Sequence, residues 1–203
     1  MNESLLSKIK SVGISYREYC DLTKKEIEAS NPIRLSDDEI KQYGDKKLNL
    51  HRMTRIEKHY SVSEELKNLI LRIDKPQTWM IISETWCGDS AQNIPFLAKM
   101  ARANSNINLK IVLRDAHPEI MDLYLTNGTR SIPILVAFDE SGEELFRWGP
   151  RPYEAIKLFE SLKAAGIEKA VRLEKLHLWY GRNRGKNLES EFITALKLSV
   201  THT

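Results

Sequence analysis

Trp79-Met80-Ile81-Ile82-Ser83-Glu84-Thr85-Trp86-Cys87-Gly88-Asp89-Ser90 is the stretch on which the reading of this chain turns. Its first four residues form a continuous apolar, β-prone run, the pattern of a strand covered on both faces. From Ser90 to about Asn104 the period changes, with Ile94, Leu97, Ala98 and Ala101 in helical step. A cysteine therefore falls where a strand ends and a helix begins. Free amides and the dipole at a helix N-terminus favour a thiolate, so Cys87 is expected to titrate below the roughly 8.5 of a free thiol. Asp89 suits the first turn of the helix but opposes ionisation of its neighbour by its own charge.

Outward from this stretch, Lys75-Pro76 stops what precedes it, and Leu109 to Leu113 reads as a second strand. Pro118 opens a helix, with His117 as its cap and Asn127-Gly128 as its close. Ile134 to Phe138 and Glu144 to Trp148, joined by Asp139-Glu140-Ser141-Gly142, read as an antiparallel hairpin. Pro152 begins a helix that ends near Ala165-Gly166. The order is β-α-β-α-β-β-α, which implies an α/β fold with a mixed sheet and helices on its faces.

The flanks read as helical. Three pairs, Ser15/Glu18, Ser36/Glu39 and Ser61/Glu64, have the spacing of capping boxes. Tyr16, Tyr19, Cys20 and Ile27 follow the first at helical spacing, and Leu66, Leu69, Ile70 and Ile73 follow the third. Cys20, within such a stripe, is expected to be a buried structural thiol. Beyond residue 166 two more helices are expected, one to Tyr180 and one carrying Leu188, Phe192, Ala195 and Leu196, joined by the basic connector Arg182-Asn183-Arg184-Gly185-Lys186. The expected organisation is an N-terminal helical extension (1–75), a core (76–165) and a C-terminal helical extension (166–203).

Composition closes off several function classes. A net charge of +3 over 203 residues is no nucleic-acid footprint, and 41% hydrophobic residues suffice for a packed core. No run approaches the length of a membrane-spanning helix, and Met1 to Lys10 lacks the basic and apolar regions of a secretory signal, so a cytoplasmic location is expected. Two cysteines 67 positions apart make no disulfide framework or Cys-rich zinc site. His51, His59, His117, His177 and His202 form no metal-ligand pattern, so no metal is expected. With no glycine-rich phosphate loop, neither nucleotide nor flavin cofactor is expected. Trp79, Trp148 and Trp179 are expected to pack in or near the core.

Over residues 76 to 165 the chain resembles the thioredoxin superfamily, and among its members the bacterial thioredoxin-like proteins with a Trp-Cys-Gly-Asp motif. Trp86-Cys87-Gly88-Asp89-Ser90 is similar to the family's Trp-Cys-Gly-x-Cys, Pro95 falls where the family often kinks the helix, and Arg130-Ser131-Ile132-Pro133 matches the segment that holds its cis-proline. The derived topology lacks the family's usual first strand and helix. The resemblance implies a thioredoxin-like fold, a nucleophilic Cys87 assisted by Ser90, and substrate contacts from Trp86, Gly88, Asp89, Ile132 and Pro133. A cis-Pro133 would offer the backbone of Ile132 to an extended substrate segment. Its resolving cysteine is replaced by Ser90, and the acidic residue many members bury six positions before the first cysteine is Ile81. Both departures imply monothiol exchange, with mixed disulfides to protein disulfides or low-molecular-weight thiols. The Ser90 hydroxyl or amide is expected to donate to the thiolate, leaving a Cys87 pKa lowered, but less than in the strongest oxidants of the fold. Release of the mixed disulfide would fall to glutathione or another small thiol, to the substrate, or to Cys20.

Two alternatives stand beside this reading. The fold can serve as a non-catalytic binding or chaperone-like module, with the helical extensions as its surface. Cys87-Gly88-Asp89-Ser90 also resembles the Cys-Gly-Phe-Ser of monothiol glutaredoxins, which hold an iron–sulfur cluster with glutathione. Here Asp89 stands at the aromatic position, and neither the preceding Lys nor the Gly-Gly-Asp turn is present.

Overall fold

A computed structural model describes residues 4–30 and 36–200; His202 of the sequence reading lies outside the described residues. In chain order the elements are α1 (Leu5–Val12), α2 (Tyr16–Ala29), α3 (Asp37–His59), α4 (Glu64–Ile70), β1 (Gln77–Ser83), α5 (Gly88–Arg102), β2 (Ile107–Leu113), α6 (Pro118–Met121), β3 (Ile134–Phe138), β4 (Glu144–Trp148), α7 (Tyr153–Ala164), α8 (Lys169–Asn183) and α9 (Lys186–Val200). The sheet runs β2-β1-β3-β4, with β1 parallel to β2 across the α5 crossover and antiparallel to β3, which pairs antiparallel with β4. This is the mixed α/β sheet of a thioredoxin-like fold.

The apolar run of β1 is continuous because the strand feeds two cores. Side chains alternate across a strand, so Trp79 and Ile81 enter the larger core while Met80 and Ile82 enter the other. β3 does the same with Leu135 and Ala137 against Ile134, Val136 and Phe138. The larger core is roofed by α2, α3, α4, α5 and α9; the smaller lies under α1 and α6. Phe192 of α9 is fully buried, with ring centroids 5.8 Å from Trp79, 5.8 Å from Phe146 and 6.0 Å from Trp148. Truncating such an aromatic to Ala costs about 3–5 kcal/mol, so the last helix is built into the sheet's main core. Trp179 packs edge-on against Tyr180 in a small cluster between α7 and α8.

The flanking helices begin largely where their caps predict. Ser15 and Glu18 form the reciprocal box at the head of α2, and the Glu39 carboxylate accepts from both the amide and the hydroxyl of Ser36. The third pair is corrected: α4 is capped by Ser63, whose hydroxyl accepts from the Leu66 amide, and not by Ser61. The Ser63 amide is itself taken by the Glu189 carboxylate of α9 at 3.0 Å, a long-range partner that holds the chain extended past Ser61. α1 is an addition to the sequence reading; after it, Ile14 makes a single antiparallel bridge to Ile111 of β2.

The helix opened by Pro118 is a single turn rather than one running to Asn127-Gly128. Asn127 and Gly128, at φ 49° and 75°, instead form a two-residue turn closed by Thr126 and Thr129 exchanging amide–carbonyl bonds of 2.9 Å. Positive φ at both central positions is what that tight turn demands, and Asn-Gly supplies it. His117 occupies the cap position of α6 without a side-chain cap bond; its Nδ1 lies 3.4 Å from Glu119. The basic connector shrinks to two residues, because α8 reaches Asn183 and α9 starts at Lys186. Gly185 is obligatory there, since it has φ 82° and a Cβ would collide with the Phe96 ring.

Candidate functional site around Cys87

Two helices distant in sequence, α2 and α3, hold the loop between β1 and α5. Tyr19 of α2 donates its hydroxyl to the Glu84 carbonyl at 2.8 Å, Asn49 of α3 donates to the Thr85 carbonyl at 3.1 Å, and the Thr85 hydroxyl donates to Glu26 at 2.6 Å. Glu84 accepts the Asp115 amide at 2.7 Å, while burial pushes its carboxyl upward. Buried backbone carbonyls in a loop need such partners, and here they fix where the helix starts.

Cys87 is the N-cap residue of α5, and the Ser90 amide donates to its Sγ at 3.5 Å. The Ile132–Pro133 bond is cis, as the resemblance implies, and Sγ–H donates to the Ile132 carbonyl at 3.5 Å. Gly149–Pro150 is also cis. The Ser90 hydroxyl is fully buried with no hydrogen-bond partner, and from beside Sγ it favours the charged form of the sulfur. Ile81 is fully buried. Cys87, Ser90, Ile132 and Pro133 therefore meet at one point, while Trp86 stands at its edge under the Arg114 guanidinium, 4.8 Å from the ring.

The expected lowering of the Cys87 pKa is overturned. Only 8% of the residue is exposed, and burial pushes the thiol up to about 11. The charge of Asp89 pushes the same way, and the hydroxyl and amide of Ser90 and the amide of Asp89 oppose both without prevailing. The helix-terminal effect acts on a solvent-accessible sulfur; here the sulfur is enclosed in the smaller core, which also holds Ile82, Met121, Ile132 and Ile134. At pH 7 a thiol of pKa about 11 is ionised in only about one molecule in ten thousand.

Gly88 and Asp89 turn toward the helical extensions. A Cβ on Gly88 would lie 2.8 Å from Cε1 and 3.0 Å from Nε2 of His177 on α8, and 3.4 Å from Arg52 on α3. Asp89 pairs with Arg151, at 2.9 Å to Nε and 2.7 Å to the terminal nitrogen, and accepts the Tyr180 hydroxyl at 2.8 Å. Asn93 completes the knot by donating to the Asp89 carbonyl and the Tyr180 hydroxyl. Burial, with the cations Arg52 and Arg151, holds His177 near pKa 4, so the ring is neutral at pH 7 and its Nδ1 meets Gln92 at 3.4 Å. Arg52, Arg151, His177 and Tyr180 were not singled out in the sequence. Their only signal there was that a Gly and an Asp followed the cysteine, which says nothing of what presses on them.

Both cysteines are free. Cys20 is half-buried against the main core, and burial raises its pKa, in keeping with a structural thiol. Among the described residues no group of three His, Cys, Asp or Glu side chains comes together as a metal site. No described helix is long and apolar enough to cross a membrane.

No curated protein matches the sequence. Among solved structures, a protein of unknown function from Pseudomonas aeruginosa is similar over 97% of this chain and 98% of its own, at 14% identity and a TM-score of 0.61. An HIV epitope scaffold is similar over 91% of this chain and 98% of its own, at 17% identity and a TM-score of 0.53. At these identities the likeness concerns the fold. A family model described as thioredoxin matches residues 35–163, from α3 through the sheet and the turn that holds Cys87 to the end of α7. A match over well more than half of the chain makes this protein a member of the thioredoxin family.

Proposed function

We propose that this chain is a cytoplasmic monothiol thiol–disulfide exchange protein in which Cys87 forms mixed disulfides with protein disulfides or low-molecular-weight thiols. The observation that carries the reading is the surroundings of Sγ: an amide donor from Ser90 at 3.5 Å, a buried Ser90 hydroxyl with no other partner, and the Ile132 carbonyl at 3.5 Å. A thiol that were only packing would leave that hydroxyl no purpose, since an unsatisfied buried polar group costs about 1–3 kcal/mol.

The exchange balances without a second motif cysteine. Cys87 loses its proton to water or buffer, the thiolate attacks a disulfide, one S–S bond forms as another breaks, and the departing thiolate takes up a proton. With Ser90 in place of a resolving thiol, a second thiol, from glutathione or another small molecule, from the substrate or from Cys20, then attacks the mixed disulfide, takes the partner's sulfur into a new S–S bond and releases the Cys87 thiolate. Trp86, Ile132 and Pro133 would line the substrate side. Gly88 and Asp89, proposed to join them, are half-buried and turned toward His177 and Arg52 and toward Arg151 and Tyr180.

The reading is tested by incubating the reduced protein with glutathione disulfide at pH 8 and locating adducts by peptide mass spectrometry. One glutathione on Cys87, removed by added thiol and missing from Cys87→Ala, is the expected result. Adducts on Cys20 alone, or none, would refute it. The low exposure of Cys87 favours a second reading, a thioredoxin-fold binding or chaperone-like module, and that reading predicts the empty outcome.

A further inference from the structure

Away from Cys87, the second half of α3, α5, the end of α8 and the start of α9 enclose a cleft of about 660 Å³. This is the size of a site for a small organic molecule. Neither Cys87 nor Ile132 nor Pro133 lines it. Its apolar surface comes from Ile56, Phe96 and Tyr60, with the Tyr60 and Phe96 rings 4.5 Å apart, edge to face. Gly185 presses on Phe96 and Lys99 donates to the Tyr60 carbonyl at 2.5 Å, so both rings are held from outside the cleft.

Arg55, His59 and Arg184 stand at its edge. All three are exposed, and none makes an ion pair with a described residue. The one acidic side chain lining the cleft, Glu189, is already occupied by the Tyr60 hydroxyl and the Ser63 amide. Two guanidiniums thus stand at the edge of a cleft of mixed polar and apolar lining, and neither is in an ion pair with its one carboxylate. Unpaired arginines beside aromatic rings suit a carboxylate, phosphate or sulfonate attached to a flat apolar body, because the guanidinium fork binds the oxygens while the rings take the body.

We propose that this cleft is a binding site for a small organic anion with a flat, apolar body. The proposal does not rest on the thiol chemistry: Gln92 and Tyr180 line the cleft as well as packing near the Cys87 motif, but the arginines that carry the proposal and its readout are different.

The test is a fluorescence titration of the full chain with 8-anilinonaphthalene-1-sulfonate, an aromatic sulfonate that brightens when its rings leave water. Saturable binding to the native protein at neutral pH is expected, displaced by phenyl phosphate but not by phenol at the same concentration. The double variant Arg55→Ala/Arg184→Asn should lose at least tenfold in affinity; Asn is chosen because residue 184 has φ 52°. Should that variant prove unfolded by circular dichroism, Arg55→Glu alone serves, on an exposed helical position, and should lose as much. Unchanged affinity in the folded variant, equal displacement by phenol, or no saturable binding would each overturn the proposal.

Discussion

The two sides of Cys87 are built on different principles. Toward Ile132 and Pro133 the sulfur meets main chain: one carbonyl at 3.5 Å, with the Ser90 amide behind it at the same distance. Toward Gly88 and Asp89 the neighbours are long side chains from α3, α8 and the turn before α7: Arg52, His177, Tyr180 and Arg151. The hydroxyl and amide of Ser90 and the amide of Asp89 lower the cost of a thiolate; burial in the smaller core and the charge of Asp89 raise it, and the Ile132 carbonyl, which accepts Sγ–H, favours the protonated thiol. Burial wins, so the reactivity of this cysteine is set by its enclosure in the smaller core, beside Ile132, more than by its place at a helix start.

The largest expected effect tests that balance directly. A thiol held at about 11 against an ordinary 9.0 stays protonated when the unfolded chain has already ionised. Its share of the stability is therefore complete below pH 9 and lost as pH climbs from 9 to 11. Two units correspond to about 2–3 kcal/mol. Urea unfolding of the wild type and of Cys87→Ala between pH 8 and 11 should show the wild type losing that much more. Tyr19 and Tyr180, also pushed upward chiefly by burial, are common to both proteins and largely cancel; the Cys87 charge adds to the Tyr19 shift only as a lesser cause. Parallel curves would mean that the sulfur is open to water and that burial does not prevail as described.

A smaller effect isolates the charged part of the helical side. Asp89 is the second cause of the raised thiol pKa, after burial. Asp89→Asn removes that charge while keeping an oxygen for the Tyr180 hydroxyl, and leaves the Arg151 guanidinium near the sulfur without its anion. Iodoacetamide should then alkylate Cys87 about tenfold faster at pH 8, the equivalent of one pKa unit, with Cys20 as internal control. A rate unchanged or slower would show that Asp89 only ties the helices down.

What could be read before the structure follows the same division. The β1 run, the α5 period, the hairpin turn and the Ile132-Pro133 segment are local patterns, and strand, helix and turn chemistry act over a few residues. The meeting of Cys87, Ser90 and Ile132 was legible for that reason, through the family resemblance. The knot of Asp89 with Arg151 and Tyr180 joins residues 62 and 91 positions apart. Each of those side chains reads as an ordinary surface residue until the helices pack on the motif, and the burial of Cys87 in the smaller core, which reverses the sign of its shift, likewise exists only in the assembled fold. Ser61/Glu64 failed on the same account: spacing offered a cap, and Glu189, far along the chain, decided where the helix started.

The smallest expected effect lies on the main-chain side. Ser90→Ala deletes a hydroxyl that is buried and unpartnered beside the protonated sulfur, but keeps the amide that also favours the thiolate. Such a hydrogen bond contributes about 0.5–1.5 kcal/mol, so alkylation of Cys87 at pH 8 should slow about threefold to fivefold. Stability at pH 7 should hold or rise slightly, because the variant no longer buries an unpaired polar atom. Slower reaction without lost stability separates a group that serves the thiolate from one that supports the fold. If Ser90→Ala instead lowers the unfolding midpoint and leaves the rate alone, the hydroxyl belongs to the packing of α5, and the amide is the only part of Ser90 that answers the sulfur.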